Sequence, residues 1–228
     1  DPSNILIHHF SIGSRASRTA YALPGRMALV YHNITPPEYF LGVHKDLVKL
    51  CFRGRRELTA YIHRSDIALG DSEYNRQELD TLGFDRTGVF PIAVDTARIT
   101  QPARRPALDR ILDDDFVNVL FVGRIAPNKK IEDFVKLAEL YKRYVDDHAR
   151  FIFVGRFDVV PRYYSMIRAL MVELGFLNER FVFTGPIPDE ELAVYYRHAA
   201  VYLSMSEHEG FCVPLVEAMA ADVPVLAY

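Results

Sequence analysis

The sequence predicts an α/β protein built on parallel sheets. Three observations carry that expectation. Short runs rich in β-branched and aromatic residues close on a glycine at Val117–Gly123, Phe151–Gly155 and Phe181–Gly185, as buried strands do. Amphipathic helical patterns lie between those runs. The repeat of about 30 residues is the length of a βαβ unit. A solenoid has a similar period but repeats a side-chain signature. Here only Phe-Val-Gly-Arg recurs, in two of the units. Strands alternating with helices give a parallel sheet.

The elements follow in order. Ile5–Phe10 and Met27–Tyr31 read as strands, and Lys45–Arg64 as a helix. Ile67–Leu69 is a short third strand and Thr87–Phe90 a fourth. Between them Ser72–Leu82 is a helix, with Ser72 as its N-cap and Gly83 as its stop. Thr96–Asp115 holds Pro102, Pro106 and three consecutive aspartates. That is a linker composition, and it divides the chain into 1–98 and 99–228. After the strand at Val117, a helix carries Ile131, Phe134, Val135 and Ala138 on one face. A second carries Tyr164, Ile167, Leu170, Met171 and Leu174, and stops at Gly175. A third covers about Asp189–His198. Strands at Ala200–Met205 and Pro224–Tyr228 enclose a short helix starting near Pro214.

Composition excludes several classes. The 228 residues are 50% hydrophobic and 25% charged, enough apolar surface to form a core and too much for a disordered chain. Lys plus Arg is 27 against 30 for Asp plus Glu, a net charge of −3, which argues against a nucleic-acid binder. Cys51 and Cys212 are the only cysteines. They make neither a disulfide framework nor a CxxC metal site, so a reducing, cytoplasmic setting is expected. No apolar run is long enough to span a bilayer. No clear basic amphipathic helix argues for peripheral contact with a membrane's inner face, and Lys45–Lys49 with Arg53–Arg56 is the only weak candidate for it. The chain opens on Asp1-Pro2 without a signal-peptide pattern, so a preceding piece is expected.

The chemistry is expected at the carboxyl ends of the strands, where parallel sheets bind ligands. Gly123-Arg124-Ile125-Ala126-Pro127-Asn128-Lys129-Lys130 follows the first strand of the second half. Glycine lets a ligand approach the backbone, and the next helix begins with positive potential. An Arg fork and a Lys point charge suit a diphosphate. Gly-Arg by itself equally fits a solvated loop. After a later strand come Glu209, Gly210, Phe211, Cys212, Pro214 and Glu217. The amides of Gly210–Cys212 suit an anion or a sugar hydroxyl, and Glu217 suits a sugar diol. Glu217 also has a bland reading, as an early helical carboxylate favoured by the dipole. Two glutamates alone also invite a glycosidase, although that chemistry needs no cationic loop. A nicotinamide dehydrogenase would show G-x-G-x-x-G, and the second glycine is missing after both Gly123 and Gly155. His32 ends a strand before Pro36-Pro37, where it could hydrogen-bond a substrate hydroxyl or stabilise the turn.

These residues resemble a known family. Glu209-Gly210-Phe211, Pro214, Glu217-Ala218-Met219-Ala220 and Pro224-Val225 are similar to the E-x7-E region of retaining glycosyltransferases of family GT4. Val122-Gly123-Arg124, Pro127 and Lys129 resemble its G-R-x-x-x-x-K loop, with Lys130 where glycine is common. Ile67–Ser72 through Leu79, and Phe90–Asp95, resemble segments of its first domain. The match runs in order along almost the whole chain.

The resemblance implies a GT-B fold: two Rossmann-like domains whose parallel sheets face a cleft. Residues 1–98 would be a partial N-terminal, acceptor-side domain. Residues 99–228 would be the linker and a partial C-terminal domain for the nucleotide sugar. Both would be truncated, the chain being an internal fragment. It further implies hexosyl transfer from a UDP- or GDP-sugar to a hydroxyl acceptor, with retention and without a metal or other cofactor. Arg124 and Lys129 would bind the diphosphate, Glu209 the donor sugar and Glu217 the ribose. His32 would lie near the transferred sugar. The acceptor is left open among glycans such as polysaccharides, lipid-linked and small-molecule hydroxyls. The rival expectation is a non-catalytic nucleotide-sugar-binding subunit that supports a partner enzyme.

Overall fold

A computed structural model describes residues 4–100, 105–176 and 180–228. It divides into two compact units: Asp1–Ala93 with His208–Phe211, and Val94–Glu207 with Cys212–Tyr228. Both are α/β with wholly parallel sheets, as the alternation of patterns predicts.

The first unit contains β1 (Ile5–Phe10), α1 (Arg15–Ala22), β2 (Arg26–Tyr31), α2 (Lys45–Ala60), β3 (Ile67–Gly70), α3 (Glu73–Leu82) and β4 (Thr87–Val89). The sheet order is β1-β2-β3-β4. Leu29, Val30 and Tyr31 of β2 are buried with Phe10, Leu58 and Leu79, so β2 forms the floor of this core. The α3 termini follow the sequence signals. Ser72 Oγ accepts the Asn75 N–H at 3.2 Å, and Gly83 ends the helix at φ +94°. Helix α1 has no counterpart among the sequence expectations. Its residues are small or polar, so no apolar period marks it. Its one signal is Ser14, whose Oγ accepts the Ser17 N–H at 3.0 Å, an N-cap bond.

The second unit contains α4 (Ala97–Thr100), α5 (Pro106–Leu112), β5 (Val117–Val122), α6 (Ile131–Tyr144), β6 (Ala149–Val154), α7 (Pro161–Glu173), β7 (Phe181–Gly185), α8 (Asp189–His198), β8 (Val201–Ser204), α9 (Val213–Ala220) and β9 (Val225–Ala227). The sheet order is β7-β6-β5-β8-β9. Strand β6 is buried at every position, because helices cover both faces of a parallel sheet. Period-two alternation sorts its residues. Phe151 and Phe153 stack with Phe181 and Phe183 on one face. Ile152 and Val154 join Leu120, Tyr196 and Tyr202 on the other.

The segment Thr96–Asp115, expected to be a linker, carries two helices among its described residues. Their apolar residues explain this: Ile99 and Leu112 enter the core cluster against α8, and Pro106 takes the first helical turn of α5, where it costs no hydrogen bond. Asp113 stands at the C-terminal end of α5. Residues 101–104, including Pro102, lie outside the described residues.

Candidate functional site

Strand order in the second unit reverses between β5 and β8: the chain runs outward through β6 and β7, then returns to lay β8 on the other side of β5. Loops leaving neighbouring strands at such a point diverge and open a crevice at the carboxyl ends. The predicted residues of this unit lie on those two loops or the helix that follows one. Gly123, Arg124 and Lys129 follow β5. Cys212 and Glu217 follow β8.

The glycines that close the three apolar runs make close backbone approach there. Gly123 N–H donates to Val154 O at 2.8 Å, and Gly155 N–H donates to Gly185 O at 3.1 Å. Gly155 has φ +131°, and a Cβ on it would sit 2.4 Å from Gly123 O. No side chain fits at that position. Arg124 is exposed. Pro127–Lys129 form a 3-10 turn and Lys130 follows at φ +53°. The loop is tied to the one after β8, because Glu207 N–H donates to Asn128 O at 3.0 Å. Lys130 Nζ lies 3.2 Å from Glu132 and 3.6 Å from Glu207, and these carboxylates raise its pKa, the hydrogen bond it donates to Glu132 most. Lys130 is therefore a loop fastener, while Arg124 makes no hydrogen bond or ion pair among the described residues. The first amide of α6, Ile131 N–H, donates to Tyr163 Oη at 2.9 Å. Tyr163 supplies the cap that no local side chain provides.

Glu217 lies early in its helix, as expected, but it is not left to the dipole alone. It lies in the second turn of α9 and is only 2% exposed. Arg98 of α4 pairs with Oε1, and the Tyr196 hydroxyl of α8 donates to Oε2 at 3.0 Å. Burial, and then the Glu217 charge, push the Tyr196 pKa far up, so the hydroxyl keeps its proton and keeps donating. Arg98 and Tyr196 were not found from sequence. They stand far from Glu217 along the chain, and no local pattern links the three.

His32, Gly210, Glu209 and Phe211 lie in the first unit. A buried chain of side-chain bonds runs beneath them. His208 Nε2 and Asn33 Oδ1 are 2.5 Å apart. Asn33 Nδ2 donates to Asn75 Oδ1 at 2.6 Å, and Asn75 Nδ2 donates to Asp71. A carboxylate only accepts, which fixes each amide's direction and makes His208 Nε2 a donor. Asp71, 2% exposed, also lies 3.4 Å from His32 Nδ1. His32 Nε2 and His9 Nδ1 are 2.7 Å apart. A Cβ on Gly210 would meet Asn33 Cβ at 2.9 Å and His32 O at 3.3 Å, so the glycine is required where its loop passes this chain. Asn33 itself has φ +70°, a conformation asparagine tolerates better than most residues. The sequence marks His32 by its place at a strand end. Asp71, Asn33 and Asn75 carried no signal beyond being polar near strand ends.

Among the described residues no cluster of three or more His, Cys, Asp or Glu is poised to hold a metal ion. No helix among them is long and apolar enough to cross a membrane.

The sequence profile of the family "Glycosyl transferases group 1" matches residues 109–228, the part that carries the β5 and β8 loops. The chain belongs to this family. It is 33% identical over 171 residues to the GDP-mannose-dependent alpha-mannosyltransferase of Mycolicibacterium smegmatis, a match covering 74% of this chain and 41% of that protein. It is 32% identical over 162 residues to the D-inositol 3-phosphate glycosyltransferase of Acidothermus cellulolyticus, covering 67% of this chain and 35% of that one. The matches therefore span about two fifths or less of these relatives' lengths. Among solved structures, sucrose-phosphate synthase of Thermosynechococcus elongatus superposes with TM-score 0.74 at 21% identity, over 98% of this chain and 55% of that one. HepE of Anabaena, in complex with UDP and glucose, gives 0.71 at 18% identity, over 93% and 54%. The fold is that of GT-B glycosyltransferases.

Proposed function

We propose that this chain belongs to a retaining glycosyltransferase that moves a hexosyl unit from a nucleotide-diphosphate sugar to a hydroxyl acceptor. The supporting observation is the pair of loops at the β5–β8 switch point, held side by side by the Asn128–Glu207 backbone bond. One loop offers the exposed Arg124 guanidinium and the Lys129 ammonium. The other leads into a helix whose buried Glu217 is held by Arg98 and Tyr196.

In this reading Arg124 and Lys129 hold the diphosphate, and Gly123 leaves room for it. Glu217 takes the ribose hydroxyls on the lone pairs that Arg98 and Tyr196 leave unused. Glu209 and the Gly210–Cys212 amides are assigned to the donor sugar, and His32 to the transferred hexose. The glycosidic bond to the diphosphate breaks as the acceptor oxygen attacks the same face of the anomeric carbon. The acceptor's proton passes to the departing phosphate oxygen. Negative charge grows on that oxygen in the transition state, and the two cations, with no metal ion, stabilise it there more than in the ground state. GDP-mannose is the first donor to try, since two relatives are named for depending on it.

Calorimetry of the full-length protein with GDP, UDP and GDP-mannose tests this, beside a transfer assay offering several hydroxyl acceptors. One nucleotide should bind. Arg124→Ala with Lys129→Ala should weaken that binding by at least ten-fold and slow transfer by orders of magnitude. Unchanged binding and turnover in the double variant would overturn the assignment. Binding without any turnover would instead indicate a non-catalytic nucleotide-sugar subunit.

A further inference from the structure

The β5 loop is fastened from behind by side chains that have no direct part in the donor site. Tyr163 lies in the first turn of α7, on the face that also buries Ile167 and Met171, and is 5% exposed. Packing at that place needs only the ring. A hydroxyl carried there costs free energy unless it is bonded. It is bonded twice: it accepts the Ile131 N–H at 2.9 Å, and it donates to Glu132 Oε2. Burial first, and Glu132 next, push the Tyr163 pKa up, so the hydroxyl keeps its proton. The other oxygen, Glu132 Oε1, holds Lys130 Nζ at 3.2 Å. The same ammonium lies 3.6 Å from Glu207 Oε1. Tyr163, Glu132, Lys130 and Glu207 thus form one chain of contacts. It starts on α7, passes the head of α6 and ends on the loop after β8.

This chain bears on the neighbouring cation. Lys130 stands at φ +53°, a left-handed conformation that is unfavourable for a residue with a Cβ. Its contacts with Glu132 and Glu207 help offset that cost, and Lys129 directly precedes it. The first amide of α6, Ile131 N–H, is spent on Tyr163, so it is not open to an anion. A diphosphate at this loop therefore depends on its cationic side chains, and the setting of Lys129 depends on how Lys130 is held.

We propose that Tyr163 and Glu132 are positioning residues for the diphosphate, acting through Lys130 to set the Lys129 ammonium. The proposal rests on the donor-site reading given above. Neither residue touches the ligand. Tyr163 anchors Glu132 to the α7 core, Glu132 fixes Lys130, and the fixed backbone at Lys130 aims Lys129.

Calorimetry of the full-length protein with GDP and UDP tests this. For the nucleotide that wild type prefers, Glu132→Gln and Tyr163→Phe should each raise the Kd roughly ten-fold. Tyr163→Phe leaves the Ile131 amide unpaired and lowers the melting temperature. The Glu132 side chain is 26% exposed, so Glu132→Gln should melt close to wild type and carries the test if the tyrosine variant folds poorly. The decisive readout is a cycle with Lys129→Ala. In that background Glu132→Gln should cost about two-fold or less, because the cation it sets is already gone. A purely structural role would cost as much without Lys129 as with it. That outcome, or a Glu132→Gln protein that binds the nucleotide as tightly as wild type, would overturn the proposal. A wild type that binds neither nucleotide would overturn the donor-site reading, and this one with it, so the two failures are told apart by the wild-type titration.

Discussion

At Glu217 a single carboxylate concentrates the chemistry of α9. Burying an ionised group is costly unless partners replace its water, and here Arg98 and Tyr196 do so. Tyr196→Phe removes the donor to Oε2 and leaves that oxygen dry. Chemical denaturation should show a loss of about 1–3 kcal/mol, and nucleotide affinity should fall in parallel because the carboxylate is no longer held. A variant of unchanged stability would mean that water reaches Glu217. The sequence marked Glu217 through the resemblance of Glu209–Glu217 to an E-x7-E region, since the spacing of two glutamates alone means little. It was silent on the partners, because a buried charge takes whatever donors the neighbouring elements bring. His208 shows the same split. Its loop was legible, but its seat on Asn33 was not.

Among elements, α5 and α8 are joined by a charge cluster that sets a pH dependence. Hydrogen bonds from Arg197, and then from His198, hold the Asp109 carboxyl down at about 2. The folded state therefore binds its proton less readily than the unfolded chain, whose aspartate titrates near 3.9. The stabilisation is complete above that value. It is lost as pH falls through it toward 2. Asp109→Asn should lower the melting temperature at neutral pH, and the difference from wild type should shrink steadily below about pH 4. A difference that stays constant down to pH 2 would place its origin in packing. Helix α5 also shows why element boundaries were read unevenly. Strands such as β5 and β6 announce themselves by dense apolar runs. In α5 the pattern is short and shares a stretch with prolines and aspartates, residues that serve linkers and helix ends alike. Helix α1 lacks an apolar stripe altogether, and its cap alone is too common a signal.

For the whole molecule, the proposed donor site implies linkage between ligand and stability. A nucleotide that binds only the folded chain adds about 2.7 kcal/mol at one hundred times its Kd. A thermal-shift series over GDP, UDP and their sugars should raise the melting temperature for one base in preference to the other, and the Arg124→Ala, Lys129→Ala double variant should lose that rise. Equal shifts in both proteins would move the binding site away from the β5 loop.

What the sequence determined by itself was the parallel α/β architecture, the strands with their terminal glycines, and the residue types that follow them. These are local matters: a buried strand needs an apolar run, and a tight strand end needs glycine. Tertiary structure decided the rest. It laid β8 beside β5 to create the switch point, seated Arg98 and Tyr196 on Glu217, and placed the His208 loop on the Asn33–Asn75–Asp71 chain. Those outcomes join residues far apart in the chain, and such pairing follows from packing between elements, which no window of neighbouring residues encodes.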